Sequence, residues 1–115
     1  MPNAAKFKKH QFAALDAAGT TPDVVVSFGG KYPLRHTVEA EITGSPTAAT
    51  AKLEGSLNGV VWADLTGVQD LLALVTNVGA AVFHIDGKPV QKIRVELVAL
   101  SGGSSPTVTF QYLGV

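Results

Sequence analysis

The sequence predicts an all-β fold, an antiparallel β-sandwich or jelly roll of about eight strands, with a small barrel as the remaining all-β solution. Three observations predict it. Nearly every segment alternates apolar and polar residues at a period of two or forms a short β-branched run. Turn-forming clusters punctuate the chain throughout, and no segment carries an apolar helical stripe flanked by caps.

In chain order, strands are expected near Val24 to Phe28, His36 to Thr43, Thr50 to Leu57, Val60 to Leu65, Leu71 to Thr76, Ala80 to Asp86, Val90 to Leu100 and Thr107 to Val115. Gly29-Gly30, Gly44-Ser45-Pro46, Asn58-Gly59, Asn77-Val78-Gly79, Asp86-Gly87-Lys88-Pro89 and Ser101 to Pro106 supply the breaks between them. In the second strand Val38, Ala40 and Ile42 point one way and Thr37, Glu39 and Glu41 the other, as expected for a sheet with one buried and one wet face. The seventh repeats the pattern, with Ile93, Val95, Leu97 and Ala99 against Lys92, Arg94 and Glu96. If these two strands are neighbours, Arg94 and Lys92 face Glu39 and Glu41. Asn58-Gly59 between apolar runs predicts a two-residue type I′ hairpin, because both residues tolerate positive φ. Leu71 to Val75 reads as a short helix or a buried strand, and its β-branched end favours the strand. Trp62 alternates with Val60 and is expected to face inward as a core anchor.

Composition bounds the rest. A chain of 115 residues builds one core and not two. With 46% hydrophobic and only 16% charged residues it is apolar for its size, so part of its surface is expected to meet a partner. Nine basic residues balance nine acidic ones, which disfavours nucleic acid and anionic membranes as partners. The local exception is the N-terminus, where Lys6, Lys8, Lys9 and His10 precede the first acid, Asp16. Met1 to Leu15 is therefore expected to be an arm outside the core, with residues 16–115 as the single β domain. Lys6, Phe7, Lys8, Lys9 and Phe12 are the candidate partner-binding residues of that arm. No cysteine is present, which excludes disulfides, thiolate metal sites and cysteine nucleophiles. No apolar run reaches the length of a membrane span and the first residues lack a secretory h-region, so a soluble chain made in a cytoplasm is expected.

Motifs for chemistry do not assemble. His10, His36 and His84 are not spaced as metal ligands, and a site joining His36, Glu39, Glu41, His84 and Asp86 needs the fold to gather them. His36 and His84 read as partly exposed strand residues. Ser56 follows Gly55 directly and ends a strand, unlike a Gly-x-Ser-x-Gly elbow. Ser101 to Pro106 lacks the Lys-Ser/Thr ending and helix of a phosphate loop. Glu39 and Glu41 read as solvated charge on a wet face, not as a general acid and its partner. No catalysis and no cofactor are expected. An exposed Trp62 or Tyr32 offers a sugar-stacking platform as the alternative use.

Leu53 to Trp62 and Val90 to Tyr112, the second with its Gly-Ser loop and terminal strand, resemble small β-structured virion proteins of tailed bacteriophages. Among these they are similar to capsid cement, or head decoration, proteins and to accessory tail proteins. The resemblance implies a homo-oligomeric virion protein that binds the major capsid protein and ties neighbouring shell subunits together. It also leaves open a tail module that recognises a receptor or carbohydrate. It transfers no binding residue position by position.

Overall fold

The computed structural model describes residues 8–27, 29–77 and 79–115. Eleven strands are present among them: β1 (Lys8–Gln11), β2 (Gly19–Thr20), β3 (Val24–Val25), β4 (Arg35–Thr43), β5 (Ala48–Ser56), β6 (Ala63–Asp64), β7 (Gln69–Asp70), β8 (Val75–Asn77), β9 (Ala80–Asp86), β10 (Lys92–Ser101) and β11 (Thr107–Gly114). They form two antiparallel sheets. The first runs β1-β11-β4-β9-β8, and the second runs β2-β10-β5-β6, with β3 also on β10 and β7 also on β5.

The period of two builds the core between them. Val38 and Ala40 of β4, Ala81 and Phe83 of β9, and Val108, Phe110 and Tyr112 of β11 face inward from the first sheet. Ala49, Ala51 and Leu53 of β5 and Ile93, Val95 and Leu97 of β10 meet them from the second. Full burial of each Val, Leu, Ile or Phe contributes about 1.5–3 kcal/mol. The pairing of β10 with β5 shifts register between Leu97 and Ala99, a bulge that ends the strict alternation.

The sequence-predicted β class and paired sheets agree with this architecture, and several details differ. Asn58-Gly59 does not make a type I′ hairpin: Gly55 pairs with Ala63, so the connection is a longer loop. Gly59 has φ of 77°, while Asn58 is not among the non-glycine residues with positive φ. A type I′ turn requires positive φ at both. Leu71 to Leu74 is a turn and not a strand. The Asp70 carboxylate accepts from the Leu72 amide, and the Leu74 amide donates to the Leu71 carbonyl, which satisfies the backbone locally before β8 begins. β4 and β10 lie in different sheets, so Glu39 and Glu41 do not face Arg94 and Lys92. Arg94 instead pairs with Glu54 at 2.7 Å, and Lys92 lies 3.9 Å from Asp23.

The expected N-terminal arm is also corrected from Lys8 onward. β1 pairs with β11 from Lys8 opposite Gly114 to Gln11 opposite Gln111, and Leu15 bridges to Val108. Phe12 is buried in the core, its amide donating to the Phe110 carbonyl at 3.0 Å. A buried ring cannot bind a partner, so Phe12 leaves the set of candidate binding residues. Lys9 is exposed on the outer face of β1. Lys6 and Phe7 lie outside the described residues, as does the Lys8 side chain.

The topology gives the sandwich two different ends. β4 begins where β9, β11 and β3 end and where β5 gives way to the loop before β6. At this end lie residues 26–27 and 29–34 and the segments 57–62 and 87–91. At the opposite end lie the connections 44–47 and 102–106, the turn 71–74, and Asp16 just beyond the Leu15 bridge.

Candidate docking surface

The first of these ends gathers most of the exposed large apolar residues. Leu57, Val60 and Val61 are 66%, 78% and 71% exposed on the loop between β5 and β6. Leu34 is 56% exposed, and Val25, Tyr32 and Val115 are also exposed at the same end. Water-exposed apolar side chains scattered singly need no account, but a group of them at one end of a small domain marks an interaction surface.

The loop that carries Leu57, Val60 and Val61 is fixed by its own side chains. Ser56 ends β5, and its hydroxyl oxygen accepts from the amides of Asn58 at 3.2 Å and Gly59 at 2.8 Å. The Asn58 side-chain oxygen then accepts from the amides of Val60 at 2.8 Å and Val61 at 2.9 Å. These side-chain turns replace the pairing that a hairpin would have supplied, with Gly59 taking the positive φ. The three apolar side chains are thus held in water by a pre-ordered backbone, which lowers the entropy lost when they meet a partner.

The connection from β9 to β10 ties this loop to the first sheet. The Gly87 amide donates to the Leu34 carbonyl at 2.7 Å, and the Gln91 amide to the Ser56 carbonyl at 3.0 Å. Between them the Lys88 carbonyl accepts the Nε2 proton of His36 at 2.9 Å, which leaves Nδ1 to accept the Tyr112 hydroxyl proton at 2.5 Å. His36 is fully buried, contrary to the partly exposed position expected for it. Burial lowers its pKa, against smaller upward effects from the Lys88 carbonyl and Asp86, and burial likewise raises that of Tyr112. Both groups are therefore neutral, as the two hydrogen bonds require.

Trp62 follows the apolar loop but is not a core anchor. It lies half-buried on the outer face of the second sheet, with the Arg94 guanidinium carbon 4.2 Å from its ring centroid. Arg94 donates from Nε to Glu54, and Lys52 Nζ lies within 3.5–3.9 Å of Glu54, Asp64 and Glu96. This outer face is an ion network of two cations and three carboxylates, with one face of the indole covered by Arg94. On the first sheet, Lys9, Thr37, Glu39, Val82, Gln111 and Leu113 line an outer depression of about 260 Å3.

No group of three or more His, Asp or Glu residues placed to hold a metal ion occurs among the described residues. His84 is exposed, its Nδ1 3.0 Å from the Thr37 hydroxyl, and Asp86 faces Arg35 across β4 and β9. Sequence reasoning singled out Tyr32 and Trp62 but missed Leu57, Val60 and Val61. The available signal was three apolar residues around Asn-Gly that break the period of two.

Fold comparison adds what the chain is similar to. A crystal structure of the SPBc2 prophage-derived protein YomS superposes with a TM-score of 0.60 at 18% identity, over 94% of this chain and 93% of that one. A CBM32 module, CBM32-3 from a family 31 glycoside hydrolase from Clostridium perfringens, superposes with a TM-score of 0.59 at 12% identity, over 95% of this chain and 75% of that one. What is shared is the β-sandwich fold. No protein-family model matches the sequence, and no curated protein matches it.

Proposed function

We propose that this chain is a non-catalytic structural protein of a phage particle, a cement protein bound at the capsid surface, with the major capsid protein and copies of itself as partners. The observation that carries the reading is the rigid apolar end built from Leu57, Val60, Val61, Leu34 and Tyr32. A catalytic module needs a cleft with reactive groups, whereas this end presents what a protein interface needs, an apolar centre with a charged rim. The near full-length likeness to a prophage-derived protein supports placing the domain in a phage context. On a symmetric lattice, many modest interfaces add by multivalency and resist the opening of joints between shell subunits. Neither nucleic acid nor membrane enters this reading.

The test is to prepare particles without the protein and heat them. Heads lacking it are expected to release DNA at a lower temperature, and readdition is expected to restore resistance. Unchanged head stability with impaired adsorption to cells would instead favour a second reading, a tail module that binds carbohydrate. The specific observations behind that alternative are the likeness to a CBM32 module and the partly exposed Trp62 and Tyr32 rings. Glycan binding by the isolated domain, lost in Trp62→Ala, would establish it.

A further inference from the structure

We propose that copies of this chain join end to end, the apolar loop end of one copy seating on the acidic far end of the next. This deepens the docking-surface reading, on which it rests, by naming what the apolar end meets.

The whole chain is neutral, but the fold separates its charges along the strands. At the apolar end lie Lys31, Arg35, Lys88 and Lys92, against Asp23 and Asp86. Asp23 is near Lys92 at 3.9 Å and Asp86 is opposite Arg35 in the sheet, while Lys31 and Lys88 make no ion pair among the described residues, the Lys88 ammonium donating to the Leu65 carbonyl at 3.0 Å. The far end carries Asp16, Glu41 and Asp70. Asp16 follows the Leu15 bridge, Glu41 stands opposite Ala80 and Thr109, and Asp70 stands opposite Thr50. No Lys or Arg lies at that end among the described residues, and none of the three acids makes an ion pair there.

The far end also has an apolar floor. Leu72 and Leu74 are only partly covered where they pack against the core, and Val75 is 40% exposed. One end is thus an apolar projection with a basic rim, and the other an apolar floor with an acidic rim. The same molecule carries both halves of a complementary pair, which is the reason for assigning a second copy to the site. Complementary rims steer such an encounter and fix its orientation, while like ends repel. Because the two patches differ, the contact is heterologous. It closes into a ring if the rotation between copies permits and otherwise runs on as a filament.

Sedimentation velocity on the full chain across a concentration series, at low and at high salt, tests this. Species beyond a dimer are expected at low salt and fewer at high salt, because screening weakens contacts between exposed charges. Lys31→Glu with Lys88→Glu reverses one rim, and Asp16→Lys with Asp70→Lys reverses the other. Each double variant alone is expected to need a roughly tenfold higher concentration to assemble. An equal mixture of the two is expected to regain assembly, since each reversed end then meets its reversed counterpart. Circular dichroism checks that each variant is folded, and Val60→Ser with Val61→Ser weakens the same contact without changing charge. A wild-type chain that stays monomeric, one that stops at a symmetric dimer, or assembly indifferent to both reversals overturns the proposal. Heating particles with and without the protein reads the phage assignment separately. If the isolated chain stays monomeric yet binds heads through Val60 and Val61, the end belongs to a shell protein and the self-association is wrong.

Discussion

His36 accepts the Tyr112 hydroxyl proton at 2.5 Å inside the core, joining the first residues of β4 to the last of β11 beneath the apolar end. Tyr112→Phe keeps the packing and removes the hydroxyl that donates to Nδ1. A buried acceptor left without a partner costs about 1–3 kcal/mol. Urea unfolding of the variant is expected to show a loss in that range, and a loss near zero would mean that water or a shifted ring replaces the bond.

The same pair sets a pH dependence. Burial lowers the His36 pKa from 6.5, so the unfolded chain binds its proton more readily than the folded one. The stability tied to neutral His36 is fully present above the unfolded value and is lost as pH falls below it toward the depressed folded value. The melting temperature is expected to drop between neutral and mildly acidic pH, with the drop reduced in His36→Gln. An unaltered profile in that variant would assign the pH dependence to other groups.

The apolar loop is expected to depend on the glycine and on the asparagine side chain. Gly59→Val places a β-branched residue at φ of 77° and is expected to cost about 1–2 kcal/mol. Asn58→Ala removes the acceptor for two exposed amides and is expected to cost about 0.5–1.5 kcal/mol. Hydrogen exchange at Val60 and Val61 checks this directly, since both amides should lose protection in Asn58→Ala and keep it in Leu57→Ala.

Phe12→Ala measures whether the N-terminal strand belongs to the core. Truncating a buried Phe costs about 3–5 kcal/mol, and an exposed Lys9→Ala change stays within about 0.5 kcal/mol. Denaturation midpoints that fail to separate the two variants would return the segment to the status of an arm.

Arg94→Ala removes the cation over Trp62 and the close partner of Glu54, whose side chain is only 11% exposed. A hydrogen bond to a charged group contributes about 1.5–3 kcal/mol, and losses in that range are expected with a change in Trp62 fluorescence. Lys92→Ala, whose nearest acid is 3.9 Å away and half-exposed, is expected to cost less than about 1 kcal/mol.

The strands that supply the core were legible because their side chains alternate: Val38 with Ala40, and Ile93 with Val95 and Leu97, reveal their buried faces by type alone. β1 was not legible, because Lys8, Lys9, His10 and Gln11 are held by backbone pairing to β11, which leaves no mark on side-chain pattern. Asn58-Gly59 was recognised as a turn, but the sequence does not say whether Asn58 bends its own backbone or bonds the amides of Val60 and Val61. Nor does an apolar residue declare which side of water it is on, so Leu57, Val60 and Val61 read as strand. The charge separation was hidden by a net charge of zero, since only the strand order puts Lys31 and Asp70 at opposite ends.

The place of β11 between β1 and β4 also bears on how the chain is made. Lys8 finds its partner only at Gly114, so during synthesis β1 emerges from the ribosome long before the strand that holds it. Val108, Phe110 and Tyr112 arrive last among the core residues, and until then the first sheet lacks the strand that joins its two parts. Pairings this distant along the chain are slow to close and expose apolar strands in the meantime. A nascent chain halted before Thr107 would therefore be the form most dependent on chaperones, because β1 and β4 then expose the edges that β11 joins.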